Sequence, residues 1–343
     1  MKKIFLILFY FIILKSSFSQ NVADTTKQNN LLQKIASGKL SGTFYTGFYK
    51  ALESKVKPSA GFEIRGMLFM YKLDLSDKVS AIFAADVSRT SGNIIVKDSL
   101  GNPMVVSFDE GAKYTFWLKQ AEICWKFLPF AQLNIGSIVI DQYLTQQDVF
   151  WGHRYIDVTM QEKNLYGMPS DLGAKLTLKY KSFMAASFSI QNGEGAKKLQ
   201  DMNGTLLYSA NLTFFPQKNT TLKIYADYEP KLAGTNSEKT TLVAFAGFKN
   251  KLFMLGVEFV DIYNFLHVDG KQVLAISGYA GINILERLEL FSRVDRVIKG
   301  DINTYLIAGI QYEPIKRLKT SLNYRFNSSN EMQRIYLSFG FFL

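Results

Sequence analysis

The sequence predicts an all-β fold, a transmembrane antiparallel β-barrel of about sixteen strands with a long third outer loop folded into its lumen. Three observations carry this expectation. Apolar and polar residues alternate at a period of two in runs of about ten residues, the length of a tilted membrane strand. The links between those runs are alternately short and long. The N-terminus reads as an export signal, yet no later stretch is apolar and long enough for a membrane helix.

Residues 1–20, MKKIFLILFYFIILKSSFSQ, carry the signal. Lys2 and Lys3 form the positive start, Ile4 to Leu14 the apolar run, and Ser16 to Gln20 a small-residue exit. A protein that leaves the cytoplasm without a spanning helix can still cross a membrane as a closed barrel. Residues 21–38 are polar apart from Leu31, Leu32 and Ile35, and read as a periplasmic lead-in with at most one helical turn. The barrel is expected over residues 39–343.

Within the barrel, Leu172, Ala174, Leu176, Leu178 and Tyr180 alternate with Asp171, Gly173, Lys175, Thr177 and Lys179. Leu222, Ile224, Ala226 and Tyr228 alternate with Thr221, Lys223, Tyr225, Asp227 and Glu229. The same holds for Leu318 to Phe326 against Lys319 to Asn327. The chain ends IYLSFGFFL, with Ile335, Leu337, Phe339, Phe341 and Leu343 on one parity and Arg334, Tyr336, Ser338, Gly340 and Phe342 on the other. Successive strand residues point to opposite faces, so each run has one apolar and one mostly polar face. Domains seldom bury their last residues, so this ending is expected to close the barrel against the first strand and remove the sheet's edges.

Short links fall at 75–78, 127–130, 179–182, 215–219, 248–251, 283–287 and 313–317. Longer ones fall at 51–60, 92–112, 141–170, 191–203, 230–239, 264–271, 298–301 and 328–331. Short turns on one rim and long loops on the other distinguish a barrel from a soluble sandwich of similar strand count. An even number of strands places both chain ends on the short-turn, periplasmic side.

Composition narrows the function. Without Lys2, Lys3 and Lys15 the 40 basic residues become 37 against 29 acidic ones, a net charge of +8. The excess is spread out, which points to a bias toward small anions rather than to nucleic acid. The single cysteine, Cys124, permits no intramolecular disulfide. With one cysteine and the two separated histidines His153 and His267, no metal site or cofactor is expected. No GxSxG-type motif places a serine beside a base, and fragments such as GEG (193–195) open no strand–helix unit, so no catalytic residue is expected.

The link from Asp141 to Ser170 stands apart. Structureless loops beyond about 12–15 residues are uncommon unless functional. This one carries Phe150, Trp151, Tyr155, Leu165, Tyr166 and Met168, which suits a loop anchored by its rings to the inner wall and narrowing the channel. The export signal, the strand count and this loop resemble the porins of Gram-negative outer membranes. The stretches FWGHRYIDVTMQEKNLYGMPSDLGAKL (150–176) and SIQNGEG (189–195) are similar to the phosphate-selective branch, the porin O and P type. The resemblance implies an outer-membrane channel for passive diffusion of small hydrophilic solutes, commonly trimeric, with basic constriction residues that favour anions such as phosphate. Here the loop holds Arg154, Lys163 and the neutral His153 against Asp141, Asp148, Asp157 and Glu162, with no cluster of arginines.

His153, Arg154, Lys163, Asp148, Asp157 and Glu162 are therefore the candidate constriction residues. Arg154 and Lys163 either face the solute or pair with neighbouring carboxylates and hold the loop's shape. Lys175, Lys223, Arg293, Arg325 and Arg334 fall on the polar parity of their strands and should line the pore. An arginine facing lipid at the midplane would cost about 2–4 kcal/mol. Asp227, Glu229, Glu289 and Asp295 share that face. With loop carboxylates opposing wall cations, the expected anion preference is weak, with Lys175, Lys223 and Arg293 just outweighing the loop. A barrel serving as a receptor, adhesin or structural protein needs no through-path and is the competing reading.

Overall fold

The computed structural model describes residues 37–53, 58–89, 92–97, 103–108, 114–196, 198, 204–232, 235 and 237–343, with 88–89, 92–97 and 103–108 described by backbone alone. The expected signal peptide and nearly all of the lead-in lie outside the described residues.

Sixteen strands close into one antiparallel barrel. The first are β1 (Lys39–Ala51), β2 (Ala60–Asp74) and β3 (Val79–Arg89). A hairpin outside the barrel sheet follows, formed by β4 (Gly92–Lys97) and β5 (Pro103–Phe108). Then come β6 (Tyr114–Leu128), β7 (Ala131–Val139), β8 (Ser170–Tyr180), β9 (Met184–Gln191), β10 (Leu207–Phe214) and β11 (Thr220–Glu229). The wall finishes with β12 (Lys239–Lys249), β13 (Phe253–Tyr263), β14 (Val273–Leu285), β15 (Leu288–Lys299), β16 (Asn303–Ile315), β17 (Leu318–Asn327) and β18 (Met332–Phe342). Neighbours follow chain order except that β3 pairs directly with β6. The β4–β5 hairpin was not legible in the second long link.

The ending behaves as its parity requires. β18 pairs antiparallel with β1 in a register that sets Thr43 opposite Phe342 and Ala51 opposite Arg334. Every barrel strand thereby gains two neighbours, and the barrel sheet leaves no row of backbone donors and acceptors at an edge. On β18 the parities separate: Phe339 is 36% exposed and Ser338 0%. The same division runs through β8, β11 and β17, where Leu172, Ile224 and Leu322 face outward while Asp171, Lys223 and Arg325 are buried inside. The outer face is rich in large apolar side chains, among them Phe83, Ile123, Trp125, Ile135 and Phe188. The inner face carries the charges. That inversion of a soluble protein's pattern is what lipid outside and water inside select.

Links of two to five residues join the strands at one rim, and the other rim holds the longer ones, the last two again brief at 300–302 and 328–331. The thirty-residue link 140–169 does not extend from its rim. It folds inward, with a π-helical segment Thr145–Trp151 and an α-helical turn Met160–Lys163. The apolar core of the molecule lies between this loop and the wall. One cluster gathers Phe150, Trp151, Tyr155 and Ile156 with Phe245, Met254, Tyr279, Phe291, Tyr305 and Ile307. A second sets Ile140, Met160 and Tyr166 against Tyr225, Val243, Val260 and their neighbours. Full burial of each such ring is worth about 1.5–3 kcal/mol, so the loop is bound by its apolar face before any polar contact is counted.

The candidate constriction loop and its latch

The loop is fastened at its base, along its length and at its tip. At the base, Lys175 Nζ donates to Val139 O at 2.6 Å and pairs with Asp141 at 3.1 Å. Ser187 Oγ donates to the other Asp141 oxygen at 2.6 Å. Lys223 Nζ donates to the backbone oxygens of Asp141 and Gln142 and to Gln146 Oε1. Glutamines knit the interior. Gln142 Nε2 donates to Gln161 Oε1 and Tyr166 O, Gln147 Nε2 to Glu162, and Gln161 Nε2 to Glu258 on the wall. Neutral amides carry both donor and acceptor, so they can satisfy a buried backbone that has no regular ladder of its own.

Three arginines from separate strands hold the tip. Arg65 on β2 and Arg325 on β17 both donate to Ile156 O, and Arg293 on β15 donates to Val158 O at 2.7 Å. Between those carbonyls sits Asp157. Its carboxylate accepts from Tyr305 OH at 2.7 Å and pairs with Lys163 at 3.0 Å. Arg65, Arg293 and Arg325 lie within 3.6 to 4.0 Å of it. Aromatic faces take up the remaining cationic charge: Arg325 lies 3.6 Å over the Tyr336 ring, and Lys163 Nζ 3.3 Å over Tyr305. Burial alone would push the Asp157 carboxyl up, but Lys163, Arg325, Arg65 and Arg293 together hold it well below the usual carboxylate range.

The expected site residues thus divide. Lys175, Lys223, Arg293 and Arg325 do face inward, but each donates to the loop instead of standing free in the lumen. Arg334 is half-buried, with its guanidinium 4.9 Å over the Tyr49 ring and directed at Tyr336 OH. Lys163 and Asp157 belong to the latch. Arg154 pairs with Glu162 at 2.9 Å and lies 3.9 Å from Asp148, which realises the loop-shaping alternative while leaving its side chain 20% exposed. Asp148 keeps about half its surface. Of the expected ring anchors, Phe150, Trp151, Tyr155 and Tyr166 are buried and Met168 is partly so. Leu165 is exposed, because it occupies the left-handed turn (φ 56°) that ends the helical segment.

Across from the latched face, Asp148, Arg154 and Glu162 approach the Asp86–Lys119 pair of β3 and β6, whose members lie 3.4 Å apart. In this strip Asp148 is 52% exposed and Arg154 and Glu162 about a fifth exposed. Three charged residues escaped the sequence reading, Arg65, Asp86 and Lys119. Each sits on the lumen face of its strand, and only the curvature of the barrel shows which strand the loop meets.

His153 is buried, with Nε2 3.2 Å from Glu289 and its ring 4.8 Å from that of Phe291. Burial lowers its pKa from the usual value of 6.5, so it is neutral in the folded state at pH 7. The unfolded chain then binds a proton that the folded one refuses, and stability falls as pH drops below about 6.5. The thermal midpoint should fall between pH 8 and pH 5.5, and His153→Asn should flatten that part of the profile. An unchanged slope in the variant would assign the dependence elsewhere. Among the described residues, no group of three or more histidine, cysteine, aspartate or glutamate side chains could hold a metal ion.

No family model matches the sequence, and no curated protein matches it. Solved structures do. OmpF of Salmonella typhi, in complex with daunomycin, is 10% identical over 89% of this chain and 97% of that one, with a TM-score of 0.64. OprB of Pseudomonas putida at low pH is 10% identical over 94% and 97%, with a TM-score of 0.59. A mutant porin of Rh. blastica is 11% identical over 89% and all of that chain, with a TM-score of 0.54. At such identities the likeness is one of fold, and this chain has the closed sixteen-strand barrel architecture found in porins.

Proposed function

We propose that the chain forms a water-filled channel for passive diffusion of small hydrophilic solutes across the outer membrane of a Gram-negative bacterium. The observation that carries this reading is the asymmetry of the inner loop. One face is latched to β2, β8, β9 and strands from β11 to β18, and the other presents Asp148, Arg154 and Glu162 toward Asp86 and Lys119. A loop whose task was to seal the barrel would bury both faces. The outward apolar surface calls for lipid, and the short-turn rim then faces the periplasm. Assembly into trimers and removal of residues 1–20 on export belong to the same proposal.

Ion preference is proposed to be weak. The accessible strip sets three carboxylates against two cations, and the wall cations Lys175, Lys223, Arg293 and Arg325 are engaged by the loop's backbone, amide and carboxylate oxygens. The net +8 of the mature chain therefore acts from the vestibules, where charges beyond about 8–10 Å are largely screened at physiological salt. Anions, phosphate among them, should pass with a small advantage. The resemblance of 150–176 and 189–195 to the phosphate-selective branch supports phosphate as the solute to try first, although no free arginine cluster awaits it.

Purified protein in a planar bilayer should give discrete conductance steps and a reversal potential in a salt gradient slightly on the anion side. Asp148→Asn should move that potential further toward anions, and Arg154→Gln toward cations. Absence of any conductance from correctly folded protein would turn the reading to a receptor, adhesin or structural barrel. No shift in either variant would place the loop outside the conducting path.

A further inference from the structure

The chain's positive charge gathers at one rim. Within three residues of the seven short links, eleven exposed lysines and arginines stand against three exposed carboxylates, Asp74, Asp77 and Glu286. Every short link has at least one of these cations. Around the described parts of the long links, the inner loop aside, four exposed cations, Lys50, Lys198, Lys231 and Lys299, meet four exposed carboxylates. Among the described residues, only Lys72 of the eleven lies within 4 Å of a carboxylate, Asp74 at 3.6 Å. Lys249 is turned into the lumen, where it donates to Val149 O at 2.6 Å, and Arg287 donates to Pro314 O.

The rings beside these cations place them at the edge of the apolar band. Exposed Tyr180 and Phe183 flank Lys181, whose Nζ lies 5.5 Å from the Tyr180 ring centre. Phe215 is exposed just before Lys218, and the Phe248 and Phe253 rings on either side of Lys251 stack at 5.3 Å. Aromatic girdles mark the two interfaces of a membrane barrel, so ammonium groups beyond them lie at the height of lipid phosphates.

Toward mid-wall from Lys218 and Lys251, the outer face is hollowed by a groove of about 490 Å³. Leu222, Ala246, Phe248, Leu255, Val257 and Ala280 line it, and no charged side chain does. Its foot is at Thr220, next to the turn that carries Lys218. The Lys218 and Lys251 turns are neighbours, since Lys249 N donates to Asn219 O at 2.9 Å. Either an acyl chain or the flank of a second barrel fits an apolar groove facing lipid. A second barrel in the same membrane brings its own basic rim to the same height, cation against cation. A phospholipid brings an anion, and a headgroup without an ammonium leaves that anion uncancelled.

We propose that the short-link rim binds anionic phospholipid, and that one molecule is seated at this groove. Its phosphate is held by Lys218 and Lys251, and one acyl chain lies along Leu222, Ala246 and Val257. The site rests on the reading that the outward face meets lipid, and it stands whether or not the barrel conducts.

Native mass spectrometry tests it on the folded barrel in detergent micelles doped with equal amounts of phosphatidylglycerol and phosphatidylcholine of the same chains. Phosphatidylglycerol should be retained severalfold over phosphatidylcholine. Lys218→Gln together with Lys251→Gln should lower that preference severalfold, while Lys50→Gln with Lys299→Gln, at the opposite rim, should leave it unchanged. Ala246→Leu fills the groove and alters no charge, and it should also weaken retention of phosphatidylglycerol. Millimolar inorganic phosphate should not displace the lipid. Each variant is first checked for the heat-modifiable gel shift of the closed barrel; should the first pair fail, Lys251→Gln alone serves, with a smaller loss in the same direction. Equal retention of the two lipids, an unchanged preference without Lys218 and Lys251, displacement by inorganic phosphate, or a second copy held in place of lipid overturns the proposal. Any of these leaves the channel reading standing, because conductance tests that separately.

Discussion

Replacing Asp157 with alanine is expected to free the loop tip, raising both the channel's mean conductance and its current noise. Asp157 is the anion shared by Arg65, Arg293, Arg325 and Lys163, of which Arg65 and Arg293 also pair with Glu63 and Asp295. Removing it leaves those cations buried and mutually repelling, and breaking such a buried network typically costs about 3–5 kcal/mol. The barrel's own backbone ladder does not depend on this contact, so the barrel should stay closed while Tyr155–Val158 leaves the wall. Conservative variants separate charge from packing. Arg293→Lys keeps a cation but loses the fork that reaches both Val158 O and Asp295, and should give an intermediate effect. Acid supplies a second route to the same state. A carboxyl held well below its ordinary value contributes stability that is complete above the unfolded pKa, near 4, and is lost as pH falls through the folded one. Wild-type noise should therefore remain low down to about pH 4 and rise only below it, while the Asp157→Ala channel is noisy throughout. A quiet Asp157→Ala channel of wild-type conductance would show that the aromatic cluster alone holds the loop.

Phe339→Arg should nearly abolish folded protein in the membrane, whereas Ser338→Ala, one residue away, should assemble. Phe339 faces outward on β18, and a basic side chain on the lipid face costs about 2–4 kcal/mol at mid-membrane. β18 is also the strand whose pairing with β1 closes the barrel, so a fault there acts on the last step of assembly. Ser338 points inward and accepts one long bond, 3.3 Å, from Asn323 Nδ2, whose loss is worth about 1 kcal/mol. Heat-modifiable gel migration reads the outcome. Equal yields from both variants would mean that the outward face does not meet lipid. Ser338→Asp is a poorer control, since that side chain is fully enclosed.

Strand positions, face assignments and the two unlike rims were legible from residue order, because a period of two and a link length are local properties that hold whatever the neighbour is. The inward direction of Lys175, Lys223, Arg293, Arg325 and Arg334 followed from that parity together with the cost of charge in lipid. So did the pairing of IYLSFGFFL with the first strand, which rests on the cost of leaving an edge. Residues 140–169 announced themselves as a loop with too many rings to remain in water. What those inward cations do was not legible. Parity says that a side chain enters the lumen, but not whether water or another segment meets it there. Only closure of the barrel brings β2, β15 and β17 around Tyr155–Val158, residues separated by up to 169 positions in sequence. That convergence turned expected selectivity residues into a latch and left Asp148, Arg154, Glu162 and the unforeseen Asp86–Lys119 pair as the proposed selective strip. Local periodicity determines the wall, and the three-dimensional meeting of distant strands with one loop determines the site.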